Sequence, residues 1–202
     1  MANEMNTRNF ADFVPDYSEP DPYEYRVGFL RRLAAYIIDY VLISLLITIA
    51  IFATGQADEL MDASMNIWKT FNKQELMDVA LGVVPIAGVI TLLYFSSELF
   101  LGASLGKLLL SIRIGSDDRY PAPFTKLFAR YILKNIGVVF ALIGSAVSIL
   151  VIDLAGDFLQ FVIYIGFLFT IGRRSQGFHD MLSATAVYYT NELIDNNNIN
   201  QE

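Results

Sequence analysis

Cysteine is absent and histidine occurs once, at His179. The first absence removes any disulfide framework or thiolate metal site. The second leaves too few ligands for a zinc site of the usual kind. Charge is also scarce: 17% of the 202 residues are charged, against about 25% in an ordinary soluble domain. The net charge of -7 argues against a nucleic-acid partner, which requires a basic face. No serine or cysteine nucleophile motif accompanies His179 and its neighbour Asp180, and adjacency in sequence does not make them a catalytic dyad. Gly102-Ala-Ser-Leu-Gly106-Lys107 has three residues between its glycines and a leucine after the lysine. A phosphate loop needs four residues there and a Ser or Thr after the lysine. The sequence therefore reads as non-enzymatic, with no cofactor and no metal.

What is abundant is apolar sequence, 54% of the chain, gathered into long blocks with a mean hydropathy of +0.45. Blocks at about 29–52, 79–101, 132–152 and 158–172 read as transmembrane helices; the first is long enough for a hydrocarbon core of about 30 Å. Asp39 within it and an acidic tail before it argue against a cleaved signal peptide. The fourth block is short, and Gly156 between Asp153 and Asp157 reads as the turn of a hairpin joining the last two spans. Gly137, Ala141, Gly144 and Ser148 form a small-residue stripe that lets another helix approach closely. With four spans and the N-terminus inside, all but Lys69 and Lys73 of the 14 Lys and Arg residues fall on one side. This asymmetry places both termini in the cytoplasm of a cell inner-membrane protein.

The segments outside the spans have distinct characters. Residues 1–27 are polar and acidic and read as a disordered cytoplasmic tail; residues 28–190 form the membrane domain, and 191–202 an Asn-rich disordered end. Ala53–Asp78 reads as an amphipathic helix at the outer interface with Trp68 as anchor, or packed on the bundle. Leu108–Ile114 and Thr185–Thr190 are strand-like. They are expected to pair into a small cytoplasmic sheet made by the loop between spans two and three and the C-terminal segment. Lys126–Lys134 reads as a basic amphipathic helix. The fold class is thus all-α integral membrane, a four-helix bundle with a small β element.

A few polar residues stand where lipid discourages them. Asp39 lies about 15 Å along the first helix, at a cost of at least ~2.5–3.5 kcal/mol if ionised at the bilayer centre. A carboxyl so placed can exchange a proton or hold a cation; alternatively, it fixes helix packing. Arg32, one heptad earlier, shares its face, and Tyr36 between them is placed to bridge by its hydroxyl. Arg32 and Arg31 can also serve as interfacial anchors. Glu98, near the cytoplasmic end of span two, is expected to pair with Arg32, with Ser96 and Ser97 extending a polar cluster. His179 can titrate near neutrality, and Asp180 can accept from Arg32.

Together these residues resemble the RDD family of small bacterial membrane proteins, named for one arginine and two aspartates. The match is Arg32, Asp39 and Asp180. The segments Gly28-Phe29-Leu30-Arg31-Arg32, Gly102 with Ser104, Gly106 and Lys107, and Gly177-Phe178-His179-Asp180 with Thr185 also fit. Ala184 and Ser111 stand where the family often has glycine. The resemblance implies transport of a small solute, with cation/proton antiport associated with some members, centred here on Asp39 with a monovalent cation or proton as the species moved. The competing reading is a membrane scaffold or assembly factor whose buried charges are structural. The lipid bilayer is the implied partner. No inverted repeat is evident of the kind many transporters possess, so a homo-oligomer is the form in which four spans would act as a transporter.

Overall fold

The structure is a computed structural model that describes residues 23–67, 73–147 and 150–194. Trp68, Ser148 and the two tails proper lie outside the described residues. Helix α1, Phe29–Ala53, buries only a narrow stripe that includes Arg32, Ala35, Asp39 and Ile43. Tyr40, Leu45, Ile49 and Phe52 face outward, each more than half exposed. A polar stripe turned inward with an apolar surface turned outward is the pattern of a helix bathed in lipid.

Helix α2, Ala57–Ile67, is amphipathic and packs on α3, Lys73–Phe95, which carries Pro85 in its interior. A break at Ser96 leads to the short α4, Ser97–Leu101, so that the apolar stretch Leu81–Leu101 forms the second span. Gly102 then turns the chain out with a φ of +64°, a left-handed conformation that glycine adopts without steric cost. Helix α5, Leu105–Leu109, follows, and strand β1 runs Ile112–Ser116. The strand-like run of the sequence therefore starts late, because Leu108 and Leu109 close a helical turn.

Helix α6, Phe124–Lys134, and α7, Ile136–Val147, meet at a bend of 63°. The bend falls at the buried Asn135, whose amide donates to the Tyr131 carbonyl. Helix α8, Leu150–Phe167, continues through a 3-10 turn, Leu168–Ile171. Three helices are long and apolar enough to cross a membrane, and a fourth crossing exists if the bent pair α6–α7 is one span. The hairpin turn anticipated at Gly156 is absent: α8 runs straight through it. A Cβ at Gly156 would lie 2.4 Å from the Cβ of Phe140, so the glycine serves close packing of α7 on α8 rather than a turn.

Helix α9, Phe178–Leu182, leads into strand β2, Thr185–Tyr189. The two strands pair antiparallel, Ile112 opposite Tyr189 and Ser116 opposite Thr185. The chain before α1 joins them. Val27 donates its backbone N–H to Val187 at 2.8 Å, and Arg26 bridges to Tyr188. The segment from Tyr23 to Val27, polar enough to read as tail, is thus ordered. Val27, Ile112, Ile114, Leu127 and Val187 form a compact apolar core with Ala35 of α1.

Ser111 and Ala184 hold positive φ angles of 54° and 49°, where a side chain costs roughly 1–2 kcal/mol. Ser111→Gly and Ala184→Gly are each expected to stabilise the protein by about 1 kcal/mol. That gain corresponds to a rise of about 2–4 °C in thermal midpoint in detergent. Unchanged or lowered midpoints would show that the strain at these two turns is already relieved by local hydrogen bonding.

Candidate functional site

The buried polar residues converge where α1, α4, α5, α6 and α9 meet. Asp180 is the third residue of α9 and fully buried. Its Oδ2 accepts from Arg32 Nη1 at 2.7 Å and from the Gly177 backbone N–H at 3.1 Å. Its Oδ1 accepts from Arg130 Nε at 2.7 Å. Arg32 also donates through Nε to the Val27 carbonyl and through Nη2 to the Val187 carbonyl. One guanidinium therefore ties α1 to both α9 and β2.

Arg130 reaches in the other direction as well. Its Nη1 donates to Glu98 Oε2 at 3.0 Å, and its Nη2 to His179 Nε2 at 3.2 Å. Glu98 Oε1 accepts from the ammonium groups of Lys107 and Lys134, the latter at 2.7 Å. The pair anticipated between Arg32 and Glu98 is not formed. Glu98 is claimed by three closer cations, and Arg32 turns instead to Asp180. Arg130 and Lys134, read from sequence as part of a surface helix, are the members that sequence reasoning missed. The signal was available: four residues apart, they share one face of α6, and Arg130 lies three residues from buried Leu127.

Asp39 stands apart from the ion pairs. Its Oδ1 accepts from the Tyr94 hydroxyl at 2.6 Å and the Gly106 N–H at 2.7 Å, and its Oδ2 from the Ser104 hydroxyl at 2.5 Å. Tyr94, not Tyr36, supplies the phenol. Tyr36 is 40% exposed and faces a cavity. Ser96 and Ser97 donate to carbonyls of the preceding turn and stay out of the cluster. Gly106 is there because nothing larger fits: a Cβ would sit 2.4 Å from the Ala35 carbonyl oxygen. Arg31 anchors the surface, donating to the Leu110 carbonyl and lying over the Tyr189 ring.

His179 does not titrate near neutrality. Burial strips hydration from the imidazolium and lowers its pKa to about 3, against a smaller pull upward from Asp180. A guanidinium can only donate, so Nε2 accepts from Arg130 and the neutral ring carries its proton on Nδ1. That nitrogen is buried without a hydrogen-bond partner among the described residues. For Asp180, burial alone raises the pKa, but the guanidiniums of Arg130 and Arg32 outweigh it and hold the carboxyl well below the usual range.

Beside this network lies a cavity of about 380 Å³, lined by Arg32, Leu33, Tyr36 and Asp39 of α1, Lys107, Arg130 and Lys134, by Gln160, Ile163, Tyr164 and Phe167 of α8, and by His179 and Val187. Helix α1 packs on α3 and α5, while α8 packs on α7 and α9. The cavity occupies the gap between them. Among the described residues no three His, Asp or Glu side chains gather to hold a metal ion.

The sequence model described as RDD family matches residues 26–184, most of the chain and every charged side chain of the buried network. No curated protein and no solved structure matches it.

Two outcomes follow from this geometry. Glu98→Gln leaves three buried cations short of one charge and is expected to cost about 3–5 kcal/mol. Asp39→Asn keeps the shape, and the Ser104 hydroxyl can turn to accept, so about 1–3 kcal/mol is expected. Chemical denaturation in detergent should rank the two that way; the reverse ranking would make Asp39 the centre of the frame. The second outcome concerns pH. The His179 pKa is lower in the fold than its ordinary 6.5, so its contribution is complete above pH 6.5 and is lost as pH falls toward 3. Loss of the Asp180 contribution begins only below the ordinary carboxylate pKa of about 3.9. The thermal midpoint should therefore decline from pH 7 to pH 4, and His179→Gln should flatten that slope. An equally steep decline in the variant would assign it to other groups.

Proposed function

The chain belongs to the RDD family, a multi-pass membrane protein family of unknown function, and from that premise we propose that it is a non-enzymatic small-solute transporter working at the cavity between α1 and α8. The cavity carries this reading. It is roomy enough for a small molecule, about 380 Å³, at the low end of the range for ligand sites. It sits in the gap between two membrane helices, with fixed charges along one wall. In this reading Arg32, Asp39 and His179 form part of the wall, Glu98 and Asp180 hold its cations from behind, and Lys107 is a working member of it.

Cation/proton antiport through Asp39 is the narrower form of the proposal, and the geometry lends it less support. Three donors already occupy the carboxyl. Arg32, Lys107, Arg130 and Lys134 line the same cavity and repel a cation. The scaffold reading is favoured by a different observation: each of the three buried acids is fully engaged by protein donors, as a permanent frame requires. Placement in the inner membrane with both termini cytoplasmic, and assembly as a homo-oligomer, belong to the proposal as well.

The test is charge movement and proton flux in proteoliposomes of known orientation, under Na⁺, K⁺ and Li⁺ gradients and then under gradients of small organic anions. Wild type should move one class of solute, and a folded Ile163→Trp variant, with the cavity filled, should not. Folded Asp39→Asn should retain at least part of the flux. Cation-driven proton flux that vanishes in folded Asp39→Asn would restore antiport through that residue. Silence from wild type with both solute classes would leave the scaffold reading in possession.

A further inference from the structure

The charges around the cavity do not balance. Arg32, Lys107, Arg130 and Lys134 are set against Asp39, Glu98 and Asp180, with His179 neutral, and burial draws the Lys134 pKa down to about 7 against the pull of Glu98, so the fourth positive charge is complete only with an anion beside it. The excess lies with the lysines. Among the described residues Lys107 and Lys134 each make one hydrogen bond, both to the same oxygen of Glu98. An ammonium has three donors, so two N–H groups on each remain to be satisfied. Lys134 has in addition only the face of the Phe95 ring, 3.4 Å away. Both lysines are largely shielded, with side-chain exposures of 9% and 16%. Water is therefore a limited partner, and buried ammonium donors that lack acceptors favour an anion beside them.

The opposite wall is of another kind. Leu33, Ile163 and Phe167 make it apolar, and Tyr36 and Tyr164, 40% and 55% exposed, stand toward the outside. Both tyrosines lie within spans, so this side of the cavity faces the lipid rather than water. A site that is cationic at one end and apolar at the other, with the paired phenols of Tyr36 and Tyr164 on its lipid side, fits a molecule with the same polarity. Its volume holds a headgroup and a short length of chain, leaving the remainder of the tail among the surrounding acyl chains.

Resting on the reading that this cavity holds a solute, we propose that it binds an anionic membrane lipid, with the phosphate against Lys107 and Lys134 and the first methylenes of the chain against Leu33, Ile163 and Phe167. The chemistry recognised is a phosphate carried on an acyl chain. A zwitterionic lipid brings its own cation and gains less from the surplus. A free phosphate lacks the apolar half.

The full chain, stripped of lipid in detergent, is titrated with dioleoyl phosphatidic acid, dioleoyl phosphatidylcholine and inorganic phosphate, and bound species are counted by native mass spectrometry. Phosphatidic acid should bind about tenfold more tightly than phosphatidylcholine, a preference equivalent to about 1.4 kcal/mol. Lys134→Gln should weaken it about fivefold, the effect of one lysine near an anionic headgroup. Ile163→Trp should weaken it without any change of charge, which keeps the test open if Lys134→Gln fails to fold. Lys126→Gln, a basic residue of the same helix that does not line the cavity, should leave binding unchanged. Equal binding of the two lipids, or equal losses in Lys126→Gln and Lys134→Gln, would mean nonspecific attraction and overturn the site. Binding of inorganic phosphate as tight as that of the lipid would assign the site to a soluble anion and overturn the lipid. Lipid binding in a protein that shows no flux sinks the transporter and leaves this site standing; flux without lipid selectivity does the reverse.

Discussion

A guanidinium stays charged in any protein environment, and once buried it must be surrounded by acceptors. Arg130 is 3% exposed, and the rest of the polar interior can be understood as the answer to that constraint. Asp180 takes its Nε and Glu98 its Nη1, which fixes α9 and α4 on either side of α6. His179 takes Nη2 as an acceptor, and can do so only while neutral. Asp180 is left with a second oxygen, which Arg32 fills, and Arg32 in turn binds the carbonyls that begin α1 and line β2. Through Arg32, segments 148 and 155 residues apart are held together. The named arginine and second aspartate of the family are the outer half of this chain of contacts.

Much of the frame was legible in the sequence, for reasons that differ from part to part. The first span was plain because lipid demands a long apolar run, and Asp39 and Arg32 were plain because they break it. Strand pairing between the loop after span two and the C-terminal segment followed from β-branched and aromatic runs, since such runs need a partner edge. The pairing of charges was less legible. Arg32 lay at a depth suited to Glu98, yet depth along a helix says nothing about which neighbour stands beside it. Glu98 is instead met by Lys107 of α5, the next helix in the chain, and by two residues of α6. Arg130 and Lys134 were masked by context, because a basic amphipathic helix beside a membrane ordinarily displays its charges to water and headgroups. Gly156 misled for the opposite reason. Between two aspartates a glycine looks like a turn, but against Phe140 it is the residue that lets two helices touch.

Asp39 shows how a costly residue can be held by its surroundings. The carboxyl sits deep in α1, yet the Tyr94 hydroxyl, the Ser104 hydroxyl and the Gly106 N–H converge on it. Two of those donors come from the start of α5, Ser104 just before it and Gly106 in its first turn, which makes the aspartate a clasp holding that helix end against the first span. Gly106 completes it by admitting the Ala35 carbonyl. A group serving as a proton or cation carrier must alternate between bound and free states. Releasing Asp39 would require three short hydrogen bonds to lengthen together in a low-dielectric setting, where each is costly to leave unmade.

The lysines differ from Asp39 in just this respect. Lys107 and Lys134 share a single acceptor, and their long stems can swing a polar head without disturbing a helix. If an anion entered beside them, Glu98 would still hold Arg130, and the link from Arg130 to Asp180 and Arg32 would be untouched. The polar interior thus divides into a part that must stay fixed, built on planar guanidiniums with matched acceptors, and a part with spare donors that can respond. Change of occupancy is cheapest at the second part, which lines the cavity between α1 and α8, two spans that meet through the Phe29 and Phe167 rings at 5.3 Å. The spare donors thus lie on the lysine side of the cavity, while the oxygens of Asp39 are already met by three donors.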